Sequence, residues 1–147
     1  MSVFADSSAL VKLYVPESGH EAVRACAGPF VIASLARVEV PAAFWGKSRS
    51  GLVSTADAAL LVSAFEFDFH GSHEAGSIFA ILSLDNSMLV AAALQAARHG
   101  LRAYDAVQLA CAMAARSVDR SVDTFAVFDR KLRDAAVIEG FTVLDAD

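Results

Sequence analysis

Four acidic residues, Asp6, Glu39, Asp105 and Asp129, are far apart in the sequence, yet each lies where a compact α/β fold could bring it to one place. Asp6 and Asp129 each follow a short apolar segment typical of a strand, and Asp105 opens an Ala- and Leu-rich segment typical of a helix. Carboxylate oxygens are the ligands that Mg²⁺ and Mn²⁺ prefer. The four acids together therefore predict a Mg²⁺ or Mn²⁺ site for chemistry on phosphates.

Each acid taken alone has an ordinary structural explanation. Asp6 and Asp129 could cap the helices that follow them. The helix dipole would favour Asp105 in a first turn, and Glu39 could be a solvated helix residue. Two observations favour a shared site instead. Apolar sequence surrounds Asp6 and Asp105, where an unpaired charge is costly. At ~5 Å spacing and an effective dielectric constant of about 20, each pair of like charges costs about 3 kcal/mol, so a cluster requires a compensating cation or proton, and a divalent metal is the expected answer.

Short apolar strands alternate with helices along the sequence, which indicates a parallel sheet covered on both faces. The predicted strands span residues 3–5, 30–33, 78–82, 124–128 and 141–144. The predicted helices span residues 7–15, 18–28, 35–49, 54–69, 87–99, 104–117 and 130–138, with Ser18, Ser34, Ser54 and either Asp85 or Asn86 as caps, and a kink or a late start at Pro41. In such sheets ligands bind outside the carboxyl ends of the strands, where Asp6 and Asp129 are expected.

The length and composition of the chain indicate a single cytoplasmic domain over residues 1–147. Hydrophobic residues make up 56% of the chain, but its longest uncharged stretches, 25–36 and 86–97, are shorter than the ~18–20 apolar residues of a membrane span. The first residues lack the basic segment of a secretory signal. Cys26 and Cys111 are isolated from each other, and both are expected to be buried.

The net charge of −5 argues at first against a nucleic-acid partner. Setting the four acids aside leaves 13 of the 17 acidic residues against 12 Lys and Arg residues, which is close to neutral. Basic residues also lie near the acids in sequence, and Lys12, Arg37 and Arg130 are the predicted contacts to substrate phosphates. The same three residues could instead belong to the solvated faces of helices.

Other patterns give weaker indications. His70, His73 and Glu74 are ligand-type residues in a polar turn, but they lack the Cys or HExxH context of a zinc motif. No glycine-rich phosphate-binding loop and no GxSxG segment occurs in the sequence. A phosphohydrolase with Asp6 as its nucleophile would require an acid two positions later, where Ser8 stands.

Four segments make the sequence similar to a known family: FADSSALVKLY, SLARVEVPAAFW, HGLRAYDAVQLACA and FAVFDRKLRDAA. In their order and spacing they closely resemble the PIN-domain family, in particular the single-domain VapC toxins of bacterial toxin–antitoxin pairs. The resemblance implies an α/β three-layer sandwich, with a central parallel sheet of about five short strands flanked by helices. It also implies that Asp6, Glu39, Asp105 and Asp129 form an acidic quartet for metal-dependent endoribonuclease cleavage, which a cognate antitoxin blocks.

The expected mechanism is hydrolysis of an RNA phosphodiester by metal-activated water. Asp6 and Asp105 are the expected principal metal contacts, with Glu39 and Asp129 binding directly or through water. The chain departs from the family at Val127, because the family often has Thr or Ser two residues before its last acid. The alternative is therefore a weakly active or inactive domain that binds RNA or a partner.

Large apolar residues also predict an interaction surface. The segments that contain Phe44, Trp45 and Phe65 supply more apolar surface than one small core requires. We expect this surface to form a homodimer contact, an antitoxin groove, or both.

Overall fold

The computed structural model describes residues 2–144, which include a five-stranded sheet. Its strands are β1 (Ser2–Ala5), β2 (Phe30–Ala33), β3 (Ala80–Leu82), β4 (Val122–Ala126) and β5 (Thr142–Val143). The strand order is β3-β2-β1-β4-β5, and every pair of neighbouring strands is parallel. The predicted parallel sheet of five short strands is thus confirmed.

Helices cover both faces of this sheet. In the described residues they are α1 (Ser7–Tyr14), α2 (His20–Arg24), α3 (Ala36–Arg49), α4 (Thr55–His70), α5 (Asn86–His99), α6 (Ala103–Val118) and α7 (Arg130–Ile138). Successive side chains of a strand point to opposite faces. In β1, Phe4 accordingly packs in a core with residues of α5, α6 and α7, whereas Val3 and Ala5 pack in a second core with residues of α1 to α4. Two cores on one sheet form the expected three-layer sandwich.

Capping residues explain several helix boundaries and fail at two. Ser54 and Asp85 accept backbone hydrogen bonds at the starts of α4 and α5, as predicted. Ser18 and Ser34 were the wrong caps, because α2 begins after Gly19 and α3 after Leu35, neither with a side-chain cap bond. The φ of Gly19 is 83°, and a Cβ there would lie 2.6 Å from Cε1 of Phe128. Both the left-handed backbone and the nearby Phe128 ring therefore require glycine at the position before α2.

Helix α3 contains Pro41 in its interior and begins well before it, at Ala36. The expected late start is thus wrong. A proline inside a helix removes one backbone donor, so the packing of the rest of α3 must offset that loss. Val40 and Phe44, on either side of this position, are fully buried.

The structure also corrects the expectation for the large apolar residues. Phe44 and Phe65 are completely buried, and the Tyr14 ring packs edge-on against each of them with centroids 5.9 Å apart. Trp45 is half-buried. Phe44, Phe65 and Tyr14 fill the core between α1, α3 and α4, so Phe44 and Phe65 form no interaction surface.

The prediction that both cysteines are buried is confirmed for one of them. Cys111 is buried as predicted, and burial raises the pKa of its thiol to about 12, whereas Cys26 is only half-buried. No helix within residues 2–144 is long and apolar enough to cross a membrane.

The sheet topology places the segments that carry three of the predicted acids at one edge. Strand β1 is central and pairs with β2 on one side and with β4 on the other. The carboxyl ends of these three strands lie at one edge and lead to Asp6, to α3 and to Asp129. The backbone N–H of Asp6 donates to the carbonyl of Ala126 at 3.2 Å, which joins the ends of β1 and β4. From β1 the sheet continues to β2 and β3 on one side and to β4 and β5 on the other, so the strand order reverses between β1 and β4. Open α/β sheets bind ligands at such a reversal.

Candidate active site

Asp6 is a buried carboxylate that also caps a helix. Its Oδ1 accepts hydrogen bonds from the backbone N–H of Ala9 at 2.9 Å and from Oγ of Ser8 at 2.7 Å, yet the residue is only 5% exposed. Burial raises the pKa of Asp6 to about 7, against the lowering effect of these two hydrogen bonds. The negative charges of Glu39 and Asp105 are smaller contributions to this same rise, because both lie close enough to repel the Asp6 carboxylate.

Glu39 is held by two side chains that sequence reasoning missed. In the first turn of α3, its Oε1 accepts hydrogen bonds from Oγ of Ser7 at 2.9 Å and from Nε2 of Gln108 at 2.8 Å. Gln108 lies one turn after Asp105 in the buried helix α6. An amide in so apolar a segment must find a partner, and this was the available signal in the sequence.

Asp105 and Asp129 are connected by one arginine. Nε of Arg102 lies 3.2 Å from Oδ2 of Asp105, and its Nη2 lies 3.8 Å from Oδ1 of Asp129. Asp129 also caps α7, since its Oδ2 accepts from the backbone N–H of Leu132 at 3.1 Å. Arg102 is 81% exposed, so its guanidinium spans the two acids at the surface of the site.

The donor atoms suit a hard divalent cation, although they do not form a closed cage. Within the described part of the chain, no three His, Cys, Asp or Glu side chains lie together as a ready metal site. None of the ion pairs found there includes Asp6 or Glu39. Asp6 therefore bears the repulsion of Glu39 and Asp105, and no cationic side chain among residues 2–144 forms an ion pair with it. Mg²⁺ or Mn²⁺ would relieve that repulsion and would find carboxylate oxygens, its preferred ligands.

The three predicted phosphate contacts differ in accessibility. Lys12 is buried: its Nζ donates to Oε1 of Glu17 at 3.0 Å and to the carbonyl of Ser18 at 2.8 Å, and lies 4.6 Å from the centroid of the Phe128 ring. This corrects the expectation that Lys12 is available to substrate, because internal contacts occupy its ammonium group. Arg37 and Arg130 are exposed, as a phosphate contact requires.

Two further sequence features belong to other parts of the structure. Val127 lies beyond the end of β4 and is completely buried in the core with Leu132, which differs from the predicted strand over 124–128. His70 ends α4, and among residues 2–144 no group of three metal-ligating side chains includes His73 or Glu74.

Comparison with known proteins supports the fold. No protein-family model matches the sequence, and the search of curated proteins gives no significant match. Among solved structures, the chain is similar to FitAcB from Neisseria gonorrhoeae, with a TM-score of 0.64 and 19% sequence identity. The match covers 99% of this chain and 97% of that chain. At this identity the likeness concerns the fold, and it confirms the PIN-like architecture that the sequence resemblance implies.

Proposed function

We propose that the protein is a Mg²⁺- or Mn²⁺-dependent endoribonuclease and the toxin of a toxin–antitoxin pair. One observation carries this proposal. The Asp6 carboxylate is buried at the end of the central strand, with Glu39 and Asp105 acting on it and without an ion-pair partner in the described residues. RNA as the substrate, and the toxin role in the cytoplasm, come from the resemblance to VapC toxins.

The acids would divide the work of holding the cation. Asp6 and Asp105 are the proposed principal ligands, and Glu39 and Asp129 bind directly or through water. The bound cation would neutralise charge that develops on the phosphate and would make water a better nucleophile. The chain itself holds two of these carboxylates in fixed orientations. Cap hydrogen bonds anchor Asp6, and hydrogen bonds from Ser7 and Gln108 anchor Glu39.

Exposed arginines would bind the RNA backbone. Arg130 directly follows Asp129 and opens α7, and Arg37 lies in the first turn of α3 near Glu39. Both side chains are exposed, as contacts to the RNA backbone would require. Such contacts carry no sequence information, and they predict binding that weakens as salt rises.

The proposal includes two protein partners. In α5 the exposed side chains of Val90 and Leu94 are four residues apart and lie on one face of the helix. We propose this face as the contact with a second copy of the chain, in which a two-fold dimer would pair the patch with itself. Leu60 and Phe67 on α4 are also exposed, and we assign them to the antitoxin. Light scattering of Leu94→Glu and antitoxin pull-down with Phe67→Glu test the two assignments separately.

RNA cleavage by the purified, antitoxin-free protein tests the proposed activity. Structured RNA is incubated with Mg²⁺ or Mn²⁺, with EDTA, and with the Asp6→Asn and Asp105→Asn variants. Asp85→Asn is a matched control, because Asp85 Oδ1 accepts from Oγ of Ser87 at 2.7 Å and from the N–H of Met88 at 2.8 Å, as Asp6 does at its own helix. We expect cleavage by the wild type and by Asp85→Asn only. Cleavage that persists in EDTA or in both site variants contradicts a metal nuclease.

The same experiment separates the alternatives. RNA binding without cleavage under any metal condition would favour an inactive binding domain. A phosphohydrolase with Asp6 as nucleophile finds no support in the geometry, because Ser8 hydrogen-bonds to Asp6 where a second acid would be needed.

A further inference from the structure

Ser7, Glu39 and Gln108 form a closed triangle of hydrogen bonds beside the acidic site. Oε1 of Glu39 accepts from Oγ of Ser7 and from Nε2 of Gln108, and Nε2 of Gln108 also lies 3.2 Å from Oγ of Ser7. We propose that Ser7 and Gln108 are positioning residues, which fix one oxygen of Glu39 so that the other is directed to the cation. This inference rests on the proposed function.

The chemistry of the triangle fixes the orientation of the amide. The nitrogen and oxygen of a glutamine side chain are distinguished by their partners. If the Gln108 amide were reversed, its oxygen would face the Glu39 carboxylate at hydrogen-bond distance, and two acceptors would repel each other. Nε2 must therefore face Glu39, and Ser7 supplies the second donor to the same oxygen.

The triangle connects the elements that carry three of the four acids. Ser7 follows Asp6 directly and opens α1, Glu39 lies in α3, and Gln108 lies three residues after Asp105 in α6. Residues three apart in a helix lie on the same side, so Gln108 and Asp105 share a face of α6. The hydrogen bonds thus fix the spacing of the three elements as well as the direction of Glu39.

Gln108 is placed where an amide is costly. It is 3% exposed, and its Oε1 is buried without a hydrogen-bond partner. A side chain selected only for packing would be apolar here, since the neighbouring residues of α6 are Val107 and Leu109. The amide occupies a position where its Nε2 reaches Glu39. Removing a group that orients a metal ligand commonly lowers metal affinity or activity about 10–100-fold.

Isothermal titration with Mn²⁺ tests the inference on the folded, full-length protein. Gln108→Met keeps a similar volume and removes both hydrogen bonds, and Ser7→Ala removes the other donor. Gln95→Met is the matched control, because Gln95 in α5 also has a buried, unpaired Oε1 but no hydrogen bond to the acids. We expect Mn²⁺ affinity to fall about tenfold in Gln108→Met, to fall less in Ser7→Ala, and to stay unchanged in Gln95→Met.

A double-mutant cycle distinguishes positioning from general packing. In a Glu39→Gln background, Gln108→Met should cause little further loss of Mn²⁺ affinity, because the group that it orients has been altered. The positioning role is wrong if Gln108→Met binds Mn²⁺ like the wild type, or if its loss persists in full in Glu39→Gln; the nuclease proposal then still stands. If Gln108→Met does not fold, Ser7→Ala in the same cycle decides. A wild type that binds no Mn²⁺ and cuts no RNA overturns both proposals.

Discussion

Asp6 and Asp85 cap their helices in the same way, yet the pKa values of their carboxyl groups move in opposite directions. Each accepts hydrogen bonds from a serine two residues later and from the backbone N–H three residues later. At exposed Asp85 these bonds lower the pKa, whereas at Asp6 burial outweighs them and raises the pKa to about 7. The capping role is therefore common to both, and burial beside other acids is what distinguishes Asp6.

Stability in EDTA should fall as the pH rises from about 4 to about 7. The pKa of Asp6 is higher in the folded state than its ordinary value of 3.8, so the folded state retains a proton that the unfolded chain releases in this range. The free energy of unfolding would decrease by at most about 4 kcal/mol, and Asp6→Asn should remove most of this dependence. Denaturant unfolding at pH 5 and pH 8 measures it. An equal decrease in the free energy of unfolding from pH 5 to pH 8 in the wild type and in Asp6→Asn would show that another group is responsible.

Arg102→Gln should strengthen Mn²⁺ binding at low salt. The guanidinium contacts Asp105 and Asp129, so it competes with a cation for the same oxygens. Because Arg102 is largely exposed, the expected gain is only about two- to fivefold, and salt should reduce it. Arg98→Gln is the control, since Arg98 is an exposed arginine that pairs with Glu139 instead. Weaker Mn²⁺ binding by Arg102→Gln would contradict the competition.

Lys12 and Arg37 should have different kinds of effect. Lys12→Met leaves the half-buried Glu17 with only Lys47 as an ion-pair partner, so we expect a loss of about 1–3 kcal/mol in the free energy of unfolding. Arg37→Gln should leave stability unchanged and raise KM for RNA. Denaturant unfolding and cleavage kinetics measure the two effects. A raised KM in a fully folded Lys12→Met protein would restore Lys12 as a substrate contact.

Val127→Thr should reduce stability without restoring a catalytic hydroxyl. Val127 is completely buried in an apolar core, where a hydroxyl without a partner costs about 1–3 kcal/mol. Val122→Thr is a suitable control, because Val122 is buried in the same core at the other end of β4. Unfolding and kcat are measured for both variants. An increase in kcat of more than about tenfold in Val127→Thr alone would show that position 127 does tune the reaction.

Local signals in the sequence were sufficient to find all five strands, with β4 displaced by two residues, and most helix ends. Asp85 is followed by its own cap donors, and Gly100 ends α5 with a φ of 64°, so both boundaries depend on adjacent residues. The start of α2 was misplaced in this way, since the residue before the helix is Gly19, where the Phe128 ring leaves no room for a side chain. The relevant contact joins residues more than a hundred positions apart.

The acids of the candidate site could be predicted from the sequence, but the side chains that hydrogen-bond to them could not. Asp6 is recognisable because it follows an apolar strand, and the type of residue alone suggests its chemistry. Gln108 is 101 residues from Ser7 and 69 from Glu39, so only the folded chain shows that they meet. Phe44 was misjudged for the same reason, since the size of the core between α1, α3 and α4 is not visible in one segment.

The most direct test of the central claim is Mn²⁺ binding by the purified protein at pH 8, measured by isothermal titration for the wild type, Asp6→Asn and Asp85→Asn. Metal binding requires deprotonated carboxylates, so the titration is carried out at a pH above the raised pKa of Asp6. We predict that the wild type and Asp85→Asn bind Mn²⁺ equally and that Asp6→Asn, although folded, loses at least tenfold in affinity. Equal binding by all three proteins, or no binding by the wild type, would contradict a metal site at Asp6.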